Sequence, residues 1–150
     1  MNPVFKCNNF PLQIYVEDTD FQGYVYHANY LKFFERARSQ ALIDIGIYQQ
    51  SSKQQNKVFL IRNISISYIN PAILEDNLEV ESLIQFKSDV RIVFHQKLIN
   101  LKNDNIMCEG KVEVCFFDQI KNKPTKFPQK LLELLKSVSY THLTLPTIQP

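Results

Sequence analysis

The residues best suited to chemistry lie between Tyr15 and Arg38, in the run Tyr-Val-Glu-Asp-Thr-Asp-Phe-Gln-Gly-Tyr-Val-Tyr-His-Ala-Asn-Tyr-Leu-Lys-Phe-Phe-Glu-Arg-Ala-Arg. Asp18 and Asp20 end an apolar segment, Gly23 breaks the chain, and His27 and Asn29 lead into a helical pattern. A carboxylate beside the start of a helix can activate water, while the free N–H groups of that helix hold a developing negative oxygen. Each residue also has a plain structural use. Asp18-Thr19-Asp20 fits an Asx-type turn, Gly23 a turn glycine, and His27 or Asn29 a helix cap. Tyr24, Tyr26 and Tyr30 fit a core as well as the wall of a ligand slot.

The elements that must carry these residues follow from periodicity. Residues 10–17 read as a strand, with Leu12, Ile14 and Val16 alternating against Gln13, Tyr15 and Glu17. A tight loop, 18–28, leads to a helix over about 30–45, whose apolar stripe is Leu31, Phe34, Ala37, Ala41, Leu42 and Ile45. Lys32, Glu35, Arg36 and Ser39 form its polar face, with Glu35 a surface acid for Arg38 or Ser39, and Gly46 stands where a helix stops. Four strands follow. In the first, Val58, Leu60, Ile64, Ile66 and Tyr68 share one face, and Asn63, Ser65 and Ser67 the other. The next three centre on Leu78–Phe86, Val90–Leu98 and Ile106–Phe116, with Ser88-Asp89 and Asn103-Asp104-Asn105 as turns. Short links favour an antiparallel meander, and with one helix on its face the fold class is α+β. Lys130–Lys136 closes the fold as a short helix. The stretch 137–150 has no period and reads as a non-native or disordered tail, leaving 1–136 as one domain.

Composition narrows the function. The chain has 150 residues, 45% of them apolar, enough for one domain with a real core. Its 17 basic and 15 acidic residues are scattered, which argues against a nucleic-acid partner. Cys7, Cys108 and Cys115 have no metal-ligand spacing, and an odd count without an export signal points to the cytoplasm. Cys108 and Cys115 fit as core residues. No apolar run is long enough for a transmembrane span. His95 lies in a strand among apolar residues and reads as structural, while Lys87 and Arg91 flank a turn.

The run Tyr15 to Arg38 resembles the signature of the hot-dog-fold acyl-CoA thioesterases, in the 4-hydroxybenzoyl-CoA thioesterase branch, and within it the bacterial tol–pal-associated group. Ser67-Tyr68-Ile69-Asn70-Pro71-Ala72, with Leu74, Asp76 and Leu78, is similar to the family's second strand and turn. The resemblance spans roughly residues 10–136. It implies an antiparallel sheet wrapped around the long helix, paired into homodimers or homotetramers with sites between subunits. It implies that Asp20 is the catalytic carboxylate, as general base or as nucleophile. It also implies that the N–H near His27 polarises the thioester carbonyl, that the His27 side chain has a catalytic or water-positioning part, and that Gly23, Tyr26, Asn29 and Tyr30 shape the acyl slot. Lys87 and Arg91 fall where contacts to CoA are expected. The substrate implied is an acyl-CoA, or an acyl group on acyl carrier protein, with no cofactor and no metal, because thiolate leaves readily. A hot-dog dehydratase or hydratase, and a non-catalytic acyl-binding module, are the alternatives.

Overall fold

The computed structural model describes residues 2–141. Strands β1 (Val4–Lys6) and β2 (Phe10–Gln13) lead through a 3-10 turn at Val16–Asp18 to helix α1 (Asn29–Ile45) and a short helix α2 (Gln49–Gln54). Strands β3 (Lys57–Tyr68), β4 (Asn77–Phe86), β5 (Arg91–Asn100) and β6 (Ile106–Asp118) form the body of the sheet; β7 (Lys123–Pro124) and helix α3 (Gln129–Thr141) complete the fold.

The sheet is antiparallel, in the order β1-β4-β5-β6-β3, with β2 also on β4 and β7 on β6. The inner face of β4, β5 and β6 follows the apolar alternation, and it buries Leu78, Val80, Ile84, Phe94, Leu98 and Val112 against Phe33, Phe34, Ala37 and Leu42 of α1. That alternation is the period-two signal of a sheet with one face covered. Helix α1 stops at Gly46, whose φ of 97° is the left-handed conformation that lets its N–H reach back to the carbonyl of Ile43. No helix among the described residues is long and apolar enough to cross a membrane.

Four expectations need correction. The strand expected over 10–17 ends at Gln13, because Asp18 Oδ2 accepts the Tyr15 N–H at 2.9 Å and winds the chain into the 3-10 turn, leaving Val16 exposed. The meander holds only for β4, β5 and β6; β3 pairs with β6 at the far edge. Residues 69–76 cross the end of the sheet instead of turning, since Ile69 and Asn70 donate to the Met107 carbonyl and Glu75 donates to Ile14. A register shift between Ile61 and Asn63 splits the expected face of β3: Phe59 and Ile61 precede it, and Ile64, Ile66 and Tyr68 follow it, all on the α1 side, while Leu60 pairs across from Cys115. One extra residue in a strand has this effect because side chains alternate. Finally, the closing helix expected over Lys130–Lys136 runs Gln129–Thr141 and buries Val138. The rest of the expected tail, including His142, lies outside the described residues.

Candidate active site

The loop between β2 and α1 is a small hairpin. The Tyr26 N–H donates to the Asp18 carbonyl at 3.0 Å, Thr19 and Val25 form a bridge, and the Asp20 N–H donates to the Tyr24 carbonyl at 2.7 Å. Gly23 closes the tip with φ 85° and donates its N–H to the Asp20 carbonyl. A side chain there would carry a strained backbone, so the turn itself explains the glycine.

The Asp20 carboxylate is exposed yet held. Its Oδ1 accepts the N–H groups of Gln22 at 2.9 Å and Tyr24 at 3.2 Å. Oδ2 has no hydrogen-bond partner among the described residues. One oxygen is thus fixed by the backbone while the other keeps its lone pairs for a proton or a carbonyl carbon.

Asp18 anchors this hairpin to the helix. Its carbonyl accepts the Asn29 side-chain amide at 2.9 Å as well as the Tyr26 N–H. Neither Asn29 nor His27 is the cap: Ala28 holds that place, with no side-chain cap hydrogen bond. Asn29 is drawn away because its amide is engaged with Asp18. The first-turn N–H groups of α1 therefore keep the positive end of the macrodipole at the hairpin base.

Aromatic rings wall the helix start. Tyr26 and His27 have ring centroids 4.5 Å apart, His27 meets Tyr68 edge-on at 6.5 Å, and Tyr30 packs on Tyr68 at 5.4 Å. The Tyr68 hydroxyl donates to the His27 carbonyl at 3.2 Å, and the Tyr30 oxygen accepts the Ala72 N–H at 3.1 Å. Burial raises the Tyr30 pKa, with the Ala72 hydrogen bond acting against it, so Tyr30 stays a neutral phenol. His27 and Tyr26 remain exposed and Tyr30 is buried.

Asp20, Gly23, Tyr26, His27, Asn29 and Tyr30 thus belong to one hairpin-and-helix unit. Lys87 and Arg91 do not join it within the chain. They bracket the β4–β5 turn, at the other end of ten-residue strands, which puts them roughly 30 Å away at about 3.3 Å per residue. Arg91 there lies 3.8 Å from Glu113. Two further side chains were not singled out in the sequence. Tyr68, at the end of β3, was read only as a strand residue. Arg38 is buried, donating to Gln96 Oε1 at 3.0 Å instead of pairing with Glu35. Its signal was a charge in the i, i+4 series Phe34, Arg38, Leu42, inside an apolar stripe.

Comparison with known proteins gives the family and the fold. Residues 14–135 match the model of the thioesterase-like superfamily. The acyl-CoA thioester hydrolase YbgC of Escherichia coli O6:H1 is 35% identical over 127 residues, covering 85% of this chain and 94% of that protein. The acyl-CoA thioesterase YbgC of Haemophilus influenzae is 37% identical over 124 residues, covering 82% and 90%. A 1,4-dihydroxy-2-naphthoyl-CoA thioesterase from Synechocystis superposes with a TM-score of 0.83 at 18% identity, covering 90% of this chain and 98% of that one, and shares the fold. A matched segment that spans the hairpin, the long helix and strands β3 to β7 makes this chain a member of the thioesterase-like superfamily, with the hot-dog fold.

Proposed function

We propose that this chain hydrolyses acyl-CoA thioesters to free acid and CoA, with Asp20 as the reacting carboxylate. The observation that carries the reading is the Asp20 carboxylate: one oxygen is tied to two loop amides, the other has no partner among the described residues, and the whole is clamped to the start of a long helix. Asp20 takes a proton from water, or attacks the carbonyl carbon to form a mixed anhydride that water then opens. First-turn N–H groups of α1 receive the oxyanion, and losing one such donor costs on the order of 3 kcal/mol in the barrier. His27 orders the water or the carbonyl, and Tyr26, Tyr30 and Gly23 shape the slot. The thiolate leaves without a metal.

The active form is a homodimer or a homotetramer. In support, β3 is a sheet edge that pairs only with β6 among the described residues, and it shows Leu60 at 40% exposure on the face away from α1, an apolar position that a second chain would cover. Such pairing would also bring the distant Lys87 and Arg91 within reach of the CoA phosphates of a neighbouring site. Acyl carrier protein is a second possible carrier of the acyl group. The chain works in the cytoplasm, where its three buried thiols stay reduced.

The test is release of free thiol from a panel of acyl-CoAs, with sedimentation to read the assembly. Thiol release with matching free acid is the expected result. An enoyl product without thiol would replace the reading by a hydratase, and tight binding without turnover by a binding module.

A further inference from the structure

Helix α1 carries a buried cation that the proposed chemistry does not use. Arg38 is 9% exposed, and burial pushes its pKa down. Its hydrogen bond among the described residues goes to a neutral amide, Gln96 Oε1, whose own Nε2 donates to the Phe34 carbonyl and to Ser82 Oγ. No carboxylate of the described residues lies within 4 Å of it; Glu35, one turn back, is exposed and acts on it only at longer range. A buried guanidinium has five N–H donors in a fork and costs several kcal/mol to desolvate unless an anion meets it.

Arg38 faces space. A cavity of about 140 Å³ lies between α1 and β3, with Glu35, Arg38 and Ser39 on the helix side and Phe59, Ile61 and Phe94 on the sheet side. A water takes about 30 Å³ of liquid, so the cavity holds several waters or the end of an acyl chain. It also has an approach. Tyr68, Ile64 and Ile61, on the α1 side of β3, are 49%, 40% and 50% exposed and mark an apolar strip from His27 toward the cavity. Arg38 stands nine positions after Asn29, about 13 Å along the helix at 1.5 Å per residue.

We infer that this cavity is a subsite for the far end of the acyl group, and that Arg38 selects acyl-CoAs whose chain ends in a carboxylate. The inference rests on the thioesterase reading for the ligand being a CoA ester. The apolar strip takes the methylenes, and the guanidinium takes the terminal carboxylate through two parallel N–H donors. Glu35 at the solvent side of the cavity keeps the empty site close to neutral without occupying the fork.

The test compares decanoyl-CoA with its ω-carboxyl counterpart, sebacoyl-CoA, in the wild type and in Arg38→Met, Arg38→Lys and Ser39→Met. The readout is the ratio of the two kcat/KM values within each protein, in which any loss of folded fraction cancels. The expected result is a wild-type preference for sebacoyl-CoA that drops about ten- to hundredfold in Arg38→Met, the range for a hydrogen bond to a charged group. Arg38→Lys keeps part of it, and Ser39→Met, which fills the cavity, loses it. Should Arg38→Met not fold, the Ser39→Met ratio decides. An equal ratio in wild type and variants overturns the subsite while hydrolysis itself continues. If neither ester is hydrolysed, calorimetric binding of the same pair gives the comparison: a preference that depends on Arg38 upholds the subsite against a failed thioesterase reading, and equal affinities sink it.

Discussion

The side-chain amide of Asn29 donates to the main-chain carbonyl of Asp18 at 2.9 Å, across eleven residues of chain. This bond joins the hairpin that carries Asp20 to the first turn of α1, and so fixes where the carboxylate stands relative to the helix dipole. Asn29→Asp removes the donor and sets a carboxylate against a carbonyl oxygen. A lost hydrogen bond of this kind costs about 1 kcal/mol of stability. Turnover should fall further than that, by at least tenfold, because displacement of a positioned group is felt strongly in the barrier. Thermal melts alongside kcat check the split; a variant with wild-type kcat would show that the clamp does not position the site.

Gly110 is glycine for want of space. A Cβ built there would stand 3.1 Å from Phe34 Cε2 and 3.3 Å from Cδ2, the ring that packs α1 on the sheet. Gly110→Val should therefore destabilise by about 1–3 kcal/mol through overpacking. Urea unfolding measures it, with the loss appearing as a lower midpoint at unchanged slope.

Stability should fall with acid through His95. Burial, then the charges of Lys111 and Lys87, bring its pKa from 6.5 down to about 4. Its Nε2 is 2.8 Å from Gln85 Oε1, and Nδ1 is buried without a partner among the described residues. The folded state thus favours the neutral ring, and the unfolded chain binds the proton first. The contribution is fully present above pH 6.5 and is lost as pH falls from there toward 4, at no more than about 1.4 kcal/mol per pH unit. His95→Gln should flatten the pH dependence of the unfolding midpoint in this window. An unchanged slope would show that another group carries it.

The cysteines bear on the assay. All three are buried, and burial raises the thiols of Cys7 and Cys108 to about 12. The thiolate is the reactive species, so the native protein should react negligibly with a thiol reagent at neutral pH, and all three should react once it is unfolded. Rapid labelling of the folded protein would contradict this.

Much of the fold was legible. The 3.6 period from Tyr30 to Ile45, ended by Gly46, gave α1 nearly to the residue, and strict alternation gave β4, β5 and β6. What escaped is physically of one kind. The 3-10 turn at Val16, the bulge before Asn63 and the crossing of residues 69–76 are made by single hydrogen bonds and one extra residue, which leave the apolar count unchanged. The candidate site was found as a run of residue types, and the hairpin that gathers Asp20, Gly23, Tyr26 and Asn29 lies inside that run. Arg38 was missed because a cation in an apolar stripe reads as polar surface until the helix is seen packed. Lys87 and Arg91 were placed by resemblance, and one chain cannot bring them to the hairpin.

The most direct test of the central claim is Asp20→Asn. The amide oxygen of asparagine can still accept the N–H groups of Gln22 and Tyr24, so the hairpin and the melting temperature should be kept. Only the negative oxygen is removed. Steady-state thiol release from an acyl-CoA should then drop by at least about a hundredfold in kcat, in line with the loss of a general base. A folded Asp20→Asn protein that turns over at close to the wild-type rate would contradict the account.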